Sequence, residues 1–373
     1  MRQLIRVNLK KNSYNILIGK PFTELVHWLP EIKSKKILVI TDTNVEKLYL
    51  QKLGSSLKEK KYDVNFCIIP AGEQYKNLNE INKIYKSCVE SGLDRDSLII
   101  ALGGGVVGDM AGFVAATYLR GIRFIQVPTT LLAQVDASIG GKTGIDMEFG
   151  KNLVGAFHQP SLVWIDPEFL KTLDDREYKN GLAEVIKYVV ICENYWDFFK
   201  INIAKILNRD SEILQKVLYM CVKAKANVVS KDEKEAGLRK ILNFGHTLGH
   251  AIETNFNYCY KHGEMVAVGM AFASFVAVKM ELCDKSVETI LVNLLKRILP
   301  MDDFLEKFKR QLRTRDDAVK SIKIDDIVEI MARDKKMSDG KIDFILLKSF
   351  GKVEIVSLSL DDIKKMLEYW SNE

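Results

Sequence analysis

Apolar segments alternate with amphipathic segments over the first half of the chain, and this alternation restricts the fold more than any other feature. From Lys36, KILVITD predicts a strand, NVEKLYLQKLGSSLKEK a helix and YDVNFCIIP a second strand. A third helix–strand pair follows in LNEINKIYKSCVESG and SLIIAL, and RFIQVP and LVWIDP predict further strands. Continuously apolar strands separated by helices are typical of a parallel sheet covered on both faces. The sequence therefore predicts a doubly wound, mostly parallel α/β domain.

A glycine-rich turn, Gly103 to Asp109, joins SLIIAL to the helical pattern VVGDMAGFVAATYL. Glycines let backbone N–H groups approach a pyrophosphate, and a helix N-terminus favours its negative charge. Gly103, Gly105 and Gly108 fit the GxGxxG spacing, which is weak evidence by itself. The order of strand, glycines and helix favours a dinucleotide site over a tight turn without a ligand.

The next segment, TTLLAQVDASIGGKTGIDMEFGKNLVGAFHQP, has little apolar periodicity. It contains glycine pairs together with Asp136, Lys142, Lys151 and Asn152. This composition predicts a ligand-binding loop between domains.

Strand patterns become rare after about residue 170, and long helical patterns replace them. We therefore predict two domains, an α/β domain at 1–170 and a mostly α-helical domain at 171–373. KIDFILLKSFGKVEIVSL is an exception and predicts a two-stranded hairpin that turns at Phe350 and Gly351.

Three of the five histidines lie between Arg239 and Glu264, in RKILNFGHTLGHAIETNFNYCYKHGE. If LNFGHTLGHAIE is one helix, Asn243, His246 and His250 share a stripe at i, i+3 and i+7. His262 opens the apolar run MVAVGMAFASFVAV, and a helix hairpin would bring it beside His246. Two imidazoles and one carboxylate commonly hold catalytic zinc. Ordinary polar residues near a hairpin are the alternative, and the absence of HExxH disfavours a zincin-type metalloprotease.

Glu184 is the predicted third ligand. It stands three residues before Lys187 in the apolar helical pattern GLAEVIKYVV. Burying a charge is costly unless it is paired or bound to a metal. A surface ion pair is the alternative interpretation.

Composition excludes several classes of protein. Six scattered cysteines without a CxxC pair argue against a disulfide framework and a thiolate zinc site, and fit a reducing cytoplasm. The N-terminus does not match a signal peptide, and no apolar run is long enough to span a bilayer. A net charge of +6 is compatible with an anionic ligand, but no basic tract suggests nucleic acid. We expect a soluble cytoplasmic protein.

Seven segments resemble those of the 3-dehydroquinate synthases, a family of sugar phosphate cyclases distantly related to iron-type alcohol and glycerol dehydrogenases. They are PAGEQYK, GGGVVGDMAGFVAATYLRGI, QVPTTLLAQVDASIGGKTGID, GKNLVGAFHQP, LAEVIKY, LNFGHTLGHAIE and HGEMVAVGM, in the family's order. The resemblance implies an N-terminal NAD-binding domain, a helical metal- and substrate-binding domain, an active site in the cleft between them, and a homodimer.

The resemblance also implies roles for individual residues. The metal, Zn²⁺ or Co²⁺, is expected on Glu184, His246 and His262. NAD is expected near Asp42, Asn44, Gly72, Glu73, Gln74, Tyr75, Lys76, Gly105, Val106, Val107, Gly108, Asp109, Thr129, Thr130, Lys142, Lys151, Phe169, Leu170, Lys171 and Thr172. An anionic sugar-acid phosphate is expected on Asp136, Lys142, Asn152, Lys187, Lys225, Arg239, Asn243 and Lys336, with Arg120 reaching in from the partner subunit. Glu235 and His250 occupy proton-acceptor positions, and Lys142, Asn152, Lys187, Arg239 and Asn243 complete the expected catalytic set.

The implied reaction converts 3-deoxy-D-arabino-heptulosonate 7-phosphate into 3-dehydroquinate. Oxidation at C5 by NAD⁺ acidifies the C6 hydrogen, phosphate leaves, the ketone is reduced again, and an aldol step closes the ring. Lysines and arginine suit a substrate that carries both phosphate and carboxylate. A valiolone or inosose synthase, a polyol dehydrogenase and a non-catalytic NAD-binding protein are the alternatives. The joint presence of Lys225, Arg239, Asn243 and His250 disfavours the sister cyclases, and a polyol dehydrogenase would need no such basic pocket. The intact candidate metal ligands, base and phosphate-binding lysines argue against a non-catalytic protein.

Overall fold

The fold was obtained from a computed structural model that describes residues 3–148, 150–256, 259–299, 302–313, 322–334 and 340–373. The chain forms two compact units. Unit 1 comprises Met1–Tyr178 and Asn208–Ala236, and unit 2 comprises Lys179–Leu207 and Gly237–Glu373. The sequence-based division at residue 170 places 208–236 in the second domain, whereas in the structure this segment packs in unit 1.

The strands and helices alternate along unit 1, and helices dominate unit 2. The strands are β1 (Gln3–Val7), β2 (Tyr14–Ile18), β3 (Lys36–Asp42), β4 (Asp63–Ile69), β5 (Leu98–Gly103), β6 (Arg123–Pro128), β7 (Lys142–Met147), β8 (Gly150–Phe157), β9 (Leu162–Ile165), β10 (Lys341–Ser349) and β11 (Lys352–Ser359). The α-helices are α1 (Gln51–Glu59), α2 (Leu78–Glu90), α3 (Gly105–Thr117), α4 (Asp175–Ile191), α5 (Trp196–Leu207), α6 (Ser211–Lys231), α7 (His246–Asn255), α8 (His262–Lys279), α9 (Lys285–Ile298), α10 (Asp302–Arg313), α11 (Ile324–Asp334) and α12 (Leu360–Asn372).

Unit 1 is built on a seven-stranded sheet in the order β1-β2-β9-β6-β5-β3-β4. All neighbouring strands are parallel except β1 and β2. Alternate residues of β3 enter two separate apolar cores, Ile37 and Val39 on one face and Leu38 and Ile40 on the other. The predicted doubly wound, mostly parallel sheet is confirmed. The strands β1 and β2 were not predicted, because charged and polar residues interrupt their short apolar runs.

Residues 142–147 and 150–157 pair as an antiparallel hairpin of β7 and β8, so the prediction of a loop was wrong for these residues. Gly144 pairs with Gly155 across the hairpin. A Cβ at Gly155 would lie 2.2 Å from the carbonyl oxygen of Thr143, so the close approach of the strands requires glycine there. Two glycines in the middle of the strands weaken the alternation by which a hairpin is predicted.

Helix α6 belongs to unit 1. Asp210 caps its N-terminus by accepting a hydrogen bond from Ile213 N (3.0 Å), and the helix packs against β1. Near the other end of the helix, Ser230 Oγ accepts a hydrogen bond from Asn8 N (2.9 Å). Because β1 was not predicted, the packing of α6 against the sheet was not predicted either.

Unit 2 is organised around α8, whose residues are buried almost throughout. Phe272 of α8 lies 5.2 Å from Trp370 of α12 and 6.2 Å from Phe344 of β10, measured between ring centroids. The predicted hairpin of β10 and β11 is confirmed, and Phe350 at its turn stacks on Trp196. In the described part of the chain, no helix is both long and apolar enough to cross a membrane.

Candidate active site

The histidine segment contains a break that the single-helix prediction missed. Residues Leu238–Asn243 form a 3₁₀ helix, Gly245 has φ +79°, and α7 begins at His246. A Cβ at Gly245 would lie 2.6 Å from the carbonyl oxygen of Val266, so a side chain is excluded there. Asn243 therefore precedes α7. Of the three residues predicted to share a stripe, two remain on one face of this helix, His246 and His250.

Close packing between α7 and α8 brings the three imidazoles together. A Cβ at Gly269 would lie only 1.8 Å from the carbonyl oxygen of Gly245. The ring of His246 is 5.2 Å from that of His250 and 5.3 Å from that of His262, between centroids. The predicted helix hairpin does bring His262 beside His246.

Helix α4 approaches the first turn of α8. Gly263 N donates a 2.6 Å hydrogen bond to Asn180 Oδ1, and a Cβ at Gly263 would lie 2.1 Å from the Asn180 carbonyl oxygen. Glu184 follows one turn after Asn180 in α4. Its Oε1 lies 3.4 Å from His246 Nε2 and 3.4 Å from His262 Nε2.

These separations fit a metal ion better than hydrogen bonds. Ligands about 2.0–2.1 Å from a tetrahedral zinc are about 3.3 Å from one another, close to the two 3.4 Å separations at Glu184 Oε1. Within the described residues, nothing donates a hydrogen bond to Glu184 Oε1, although this side chain is only 1% exposed. A buried carboxylate oxygen facing two ring nitrogens is the donor set expected for Zn²⁺ or Co²⁺.

Hydrogen bonds on the opposite ring nitrogens orient both imidazoles. His246 Nδ1 lies 3.1 Å from the carbonyl oxygen of Phe244, and His262 Nδ1 lies 3.3 Å from Glu253 Oε2. If each Nδ1 carries the proton, each Nε2 presents a lone pair toward Glu184. Glu184, His246 and His262 thus fit a bound Zn²⁺ or Co²⁺ ion.

Electrostatics sets the protonation of each predicted ligand in the metal-free protein. Burial raises the pKa of Glu184, but Lys187 and His246 outweigh this and hold that pKa well below its usual value, so the carboxylate is ionised. Burial and the charge of Lys187 lower the pKa of His246 to about 4, so this imidazole is neutral. Burial also disfavours the charge on His262, but Glu184 and Glu253 outweigh it and raise its pKa to about 10. His262 is therefore an imidazolium near neutral pH, and a metal ion must displace a proton from it in order to bind.

His250 offers a second possible ligand set. Nitrogens of His246, His250 and His262 lie within 4.8 Å of one another. The set with Glu184 fits a single ion better, because its 3.4 Å separations match a ligand sphere more closely. His250 then lies beside the ligands, with its ring 5.7 Å from that of His262.

The other predicted residues of unit 2 are positioned as follows. Lys187 is 1% exposed and its ammonium contacts Glu184 Oε2. Arg239 is 2% exposed in the 3₁₀ helix, and its neighbour Lys240 pairs with Asp343 of β10 at 2.8 Å. Asn243 ends that 3₁₀ helix, and Lys336 lies outside the described residues.

Several predicted cofactor residues of unit 1 lie at, or follow, the carboxyl ends of its parallel strands. Strand order reverses between β3 and β5, which is where doubly wound folds bind dinucleotides. Asp42 ends β3, and its Oδ1 accepts hydrogen bonds from Asn44 N (2.8 Å) and Val45 N (3.1 Å). Gly103 ends β5, and its carbonyl oxygen accepts a bond from Thr129 N (2.9 Å).

Close packing also explains a glycine of the α3 turn. A Cβ at Gly108 would lie 2.7 Å from Gln126 Oε1, so α3 rests directly on β6. The predicted strand, glycine turn and helix are present in that order, as β5 and α3.

A buried lysine ties three segments of unit 1 together. Lys76 Nζ lies 2.7 Å from Asp109 Oδ2 in α3 and 2.6 Å from Asn152 Oδ1 in β8. The backbone carbonyl of Lys76 accepts a bond from Asp146 N (2.8 Å), and Asp146 Oδ1 accepts one from Asn152 N (2.9 Å). Burial lowers the pKa of Lys76, but Asp109 and Glu73 more than offset this and raise it. The ammonium remains charged and joins residues predicted for the cofactor to one predicted for the substrate.

Three further predicted lysines of unit 1, Lys142, Lys151 and Lys225, pair with predicted acids. Lys225 Nζ lies 2.9 Å from Asp136 Oδ1 and donates to the Asp136 carbonyl oxygen at 2.7 Å. Lys142 contacts Glu235. Lys151 pairs with Glu73 at 3.0 Å. Of the predicted residues after β9, Phe169 and Leu170 are buried and Thr172 contacts Tyr49. Arg120 is exposed and has φ +66°.

Sequence reasoning missed two residues of the site. Glu253 stands seven residues after His246 in α7, so its spacing on the same helix face was a usable indication. Asn180 offered no comparable indication, because its role depends on the contact between α4 and α8.

Comparison with known proteins tests the resemblance directly. Sequence models of the 3-dehydroquinate synthase N-terminal and C-terminal regions match residues 66–180 and 181–337. The curated 3-dehydroquinate synthase of Thermoanaerobacter pseudethanolicus is 43% identical over 368 residues, covering 98% of this chain and 99% of the relative. The chain belongs to the 3-dehydroquinate synthase family.

Solved structures of related enzymes agree with this family assignment. A 2-deoxy-scyllo-inosose synthase complexed with carbaglucose-6-phosphate, NAD⁺ and Co²⁺ has a TM-score of 0.84 at 26% identity, covering 98% of this chain and 99% of the other. The 2-epi-5-epi-valiolone synthase of Streptomyces hygroscopicus subsp. jinggangensis, with NAD⁺ and Zn²⁺ bound, has a TM-score of 0.83 at 26% identity and covers 98% of both chains. The predicted fold of the 3-dehydroquinate synthase family is confirmed.

Proposed function

We propose that this member of the family is a 3-dehydroquinate synthase, which converts 3-deoxy-D-arabino-heptulosonate 7-phosphate into 3-dehydroquinate and phosphate in the shikimate pathway. The observation that carries the proposal is the position of Glu184 Oε1, 3.4 Å from both His246 Nε2 and His262 Nε2. Full-length identity of 43% to a curated synthase supports the substrate assignment.

Glu184, His246 and His262 would hold the divalent ion, and the carboxyl ends of β3 and β5 with the first turn of α3 would hold NAD. Bound there, the ion would supply a Lewis acid that lowers the pKa of a substrate hydroxyl, and NAD⁺ would supply the acceptor for the hydride on the carbon that bears this hydroxyl. The buried, ionised Glu184 and neutral His246 give the ion one negative and one neutral ligand, which leaves it with net positive charge.

His250 would accept the hydroxyl proton. Its ring lies 5.2 Å from that of His246 and 5.7 Å from that of His262, between centroids, which places it beside the ligands. Imidazole is suited to this step because its pKa lies near neutrality when it is not perturbed. Glu235 is the second proposed proton acceptor, paired with Lys142.

The cations would bind the two anionic ends of the substrate. Arg239 presents a planar fork suited to a carboxylate, whereas Lys142, Lys187 and Lys225 act as point charges. Lys187 and Lys225 are 1% and 5% exposed, and each is already neutralised by an acid. This pairing keeps the cost of burying the two ammonium groups low until a phosphate or carboxylate shares them. Asp136, Asn152, Asn243 and Lys336 are proposed to complete the substrate site.

The test is phosphate release from the heptulosonate phosphate with catalytic NAD⁺, before and after chelation of the metal. We expect multiple turnovers per NAD⁺, loss of turnover on chelation, and recovery with Zn²⁺ or Co²⁺. Glu184→Ala should lose both bound metal and turnover. No release with metal and NAD⁺ present would refute the assigned reaction.

Another sugar phosphate cyclase activity is the second candidate. The structural similarity to an inosose synthase crystallised with a carbaglucose phosphate favours testing it. Glucose 6-phosphate in the same assay discriminates the two, and turnover of this sugar in place of the heptulosonate would favour the alternative.

We further propose a cytoplasmic homodimer in which Arg120 acts on the partner's substrate. The exposure of Arg120 is compatible with this role. Mixing the inactive variants Arg120→Ala and His250→Ala should restore part of the activity if subunits exchange. Light scattering that gives a monomer mass would contradict the dimer.

A further inference from the structure

Glu253 is a buried carboxylate beside the candidate metal site. It is 5% exposed in α7, and its Oε2 lies 3.3 Å from His262 Nδ1. None of the roles assigned above uses it. Burying a carboxylate costs free energy of desolvation unless a hydrogen bond or an opposite charge compensates for it. The ring nitrogen of His262 is such a partner.

The two imidazole ligands differ in how the fold holds them. The side chain of His246 is 9% exposed, and the backbone carbonyl of Phe244 contacts its Nδ1. The side chain of His262 is 30% exposed, and this residue is the first of α8. For His262, a side chain supplies the contact that the backbone supplies for His246.

A histidine binds a metal through one nitrogen only when the proton resides on the other. A carboxylate that accepts that N–H fixes both the tautomer and the ring orientation, and its loss typically weakens metal binding by about 10–100-fold. Glu253 lies on the Nδ1 side of His262 while Glu184 lies on the Nε2 side. The two carboxylates therefore face the two different nitrogens of the His262 ring.

We propose that Glu253 is a positioning residue that holds His262 as a metal ligand by accepting the hydrogen bond of Nδ1–H. This inference rests on the metal site of the proposed function. It assigns Glu253 no contact with the substrate.

Zinc affinity, measured by competition with a chromophoric chelator, tests the proposal in three variants. Glu253→Leu removes the acceptor, whereas Glu253→Gln keeps an acceptor oxygen without the charge. Glu288→Gln is the matched control, because Glu288 is also a buried glutamate of unit 2, 7% exposed and paired with Lys285 at 2.7 Å. We expect affinity to fall about 10–100-fold in the leucine variant, to fall less in the glutamine variant, and to stay unchanged in the control.

The visible spectrum of the Co²⁺-loaded protein gives a second readout. It should change in Glu253→Leu and be closer to the original in Glu253→Gln, because the ligand geometry depends on the ring orientation. Wild-type affinity and spectrum in both Glu253 variants would overturn the proposal. Equal losses in both, with an equally lowered melting temperature of the metal-free protein, would assign Glu253 a packing role and also overturn it.

Two further outcomes keep the test decisive. If Glu253→Leu does not fold, Glu253→Asp takes its place, because the shorter side chain withdraws the acceptor, and wild-type affinity there would equally overturn the inference. If the wild-type protein binds no zinc, or Glu184→Ala still binds it, the proposed metal site fails independently of Glu253.

Discussion

Replacing Lys76 with methionine tests the polar cluster that ties β7–β8 to α3. The Lys76 ammonium lies 2.7 Å from Asp109 Oδ2, where two charges attract by about 6 kcal/mol at an effective dielectric constant of about 20. Desolvation offsets part of this attraction, yet removing one partner of a buried pair costs about 3–5 kcal/mol. Asp109 is 21% exposed, so we expect the lower end, about 3 kcal/mol.

Hydrogen–deuterium exchange of peptides covering 142–157 measures this loss locally. A change of about 3 kcal/mol corresponds to exchange about 100-fold faster or more. Lys86→Met is the control, because both side chains of its pair with Glu90 are exposed (75% and 64%) and the pair should matter little. Adding Asp109→Asn to Lys76→Met should restore most of the protection, since no unpaired charge remains. Equal exchange in the Lys76 and Lys86 variants would refute the reasoning.

Four further predictions concern unit 2. His250→Ala should retain zinc and NAD but lose most of kcat, measured by phosphate release; an unchanged rate would end its role as proton acceptor. Arg239→Lys should raise KM for the substrate, because a point charge cannot replace the fork; an unchanged KM would argue against a carboxylate contact. The pKa of His262 is raised to about 10 in the metal-free protein, so zinc binding near pH 7 must expel its proton. Calorimetry in buffers of different ionisation enthalpy should therefore find about one proton released, and the zinc affinity should rise with pH. Gly269→Ala should separate α7 from α8, with about 1–3 kcal/mol of destabilisation in urea and weaker zinc binding; wild-type zinc affinity would contradict the role given to this contact.

The sequence predicted the elements whose periodicity is strong. Strand β5 consists of apolar residues and one glycine, α3 contains a single charged residue, and α8 is almost entirely apolar after its first turn, which explains why β5, α3 and the start of α8 at His262 were recognised. Glu184 could be nominated because a charge inside an apolar helix has few explanations.

The failures have a common physical cause. A glycine is needed at position 245, between the 3₁₀ helix and α7, because α8 packs against it, and the hairpin of β7 and β8 depends on Gly144 meeting Gly155. Both depend on contacts between segments distant in sequence, which periodicity within one segment does not report. The role of Glu253 likewise depends on a contact between two helices, because the approach of α8 to α7 places His262 Nδ1 3.3 Å from its Oε2.

The discontinuous organisation of unit 1 has a consequence for synthesis of the chain. A ribosome that has released Tyr178 has made the whole parallel sheet but not α6, which carries Lys225 and packs against β1. The surface of the sheet that α6 covers therefore stays uncovered while a segment of the other unit, Lys179–Leu207, is synthesised before α6. Nascent chains with α6 still inside the ribosomal exit tunnel and longer chains with α6 outside it should therefore differ sharply in protease resistance, and a fragment ending at Tyr178 would be a poor substitute for the first unit.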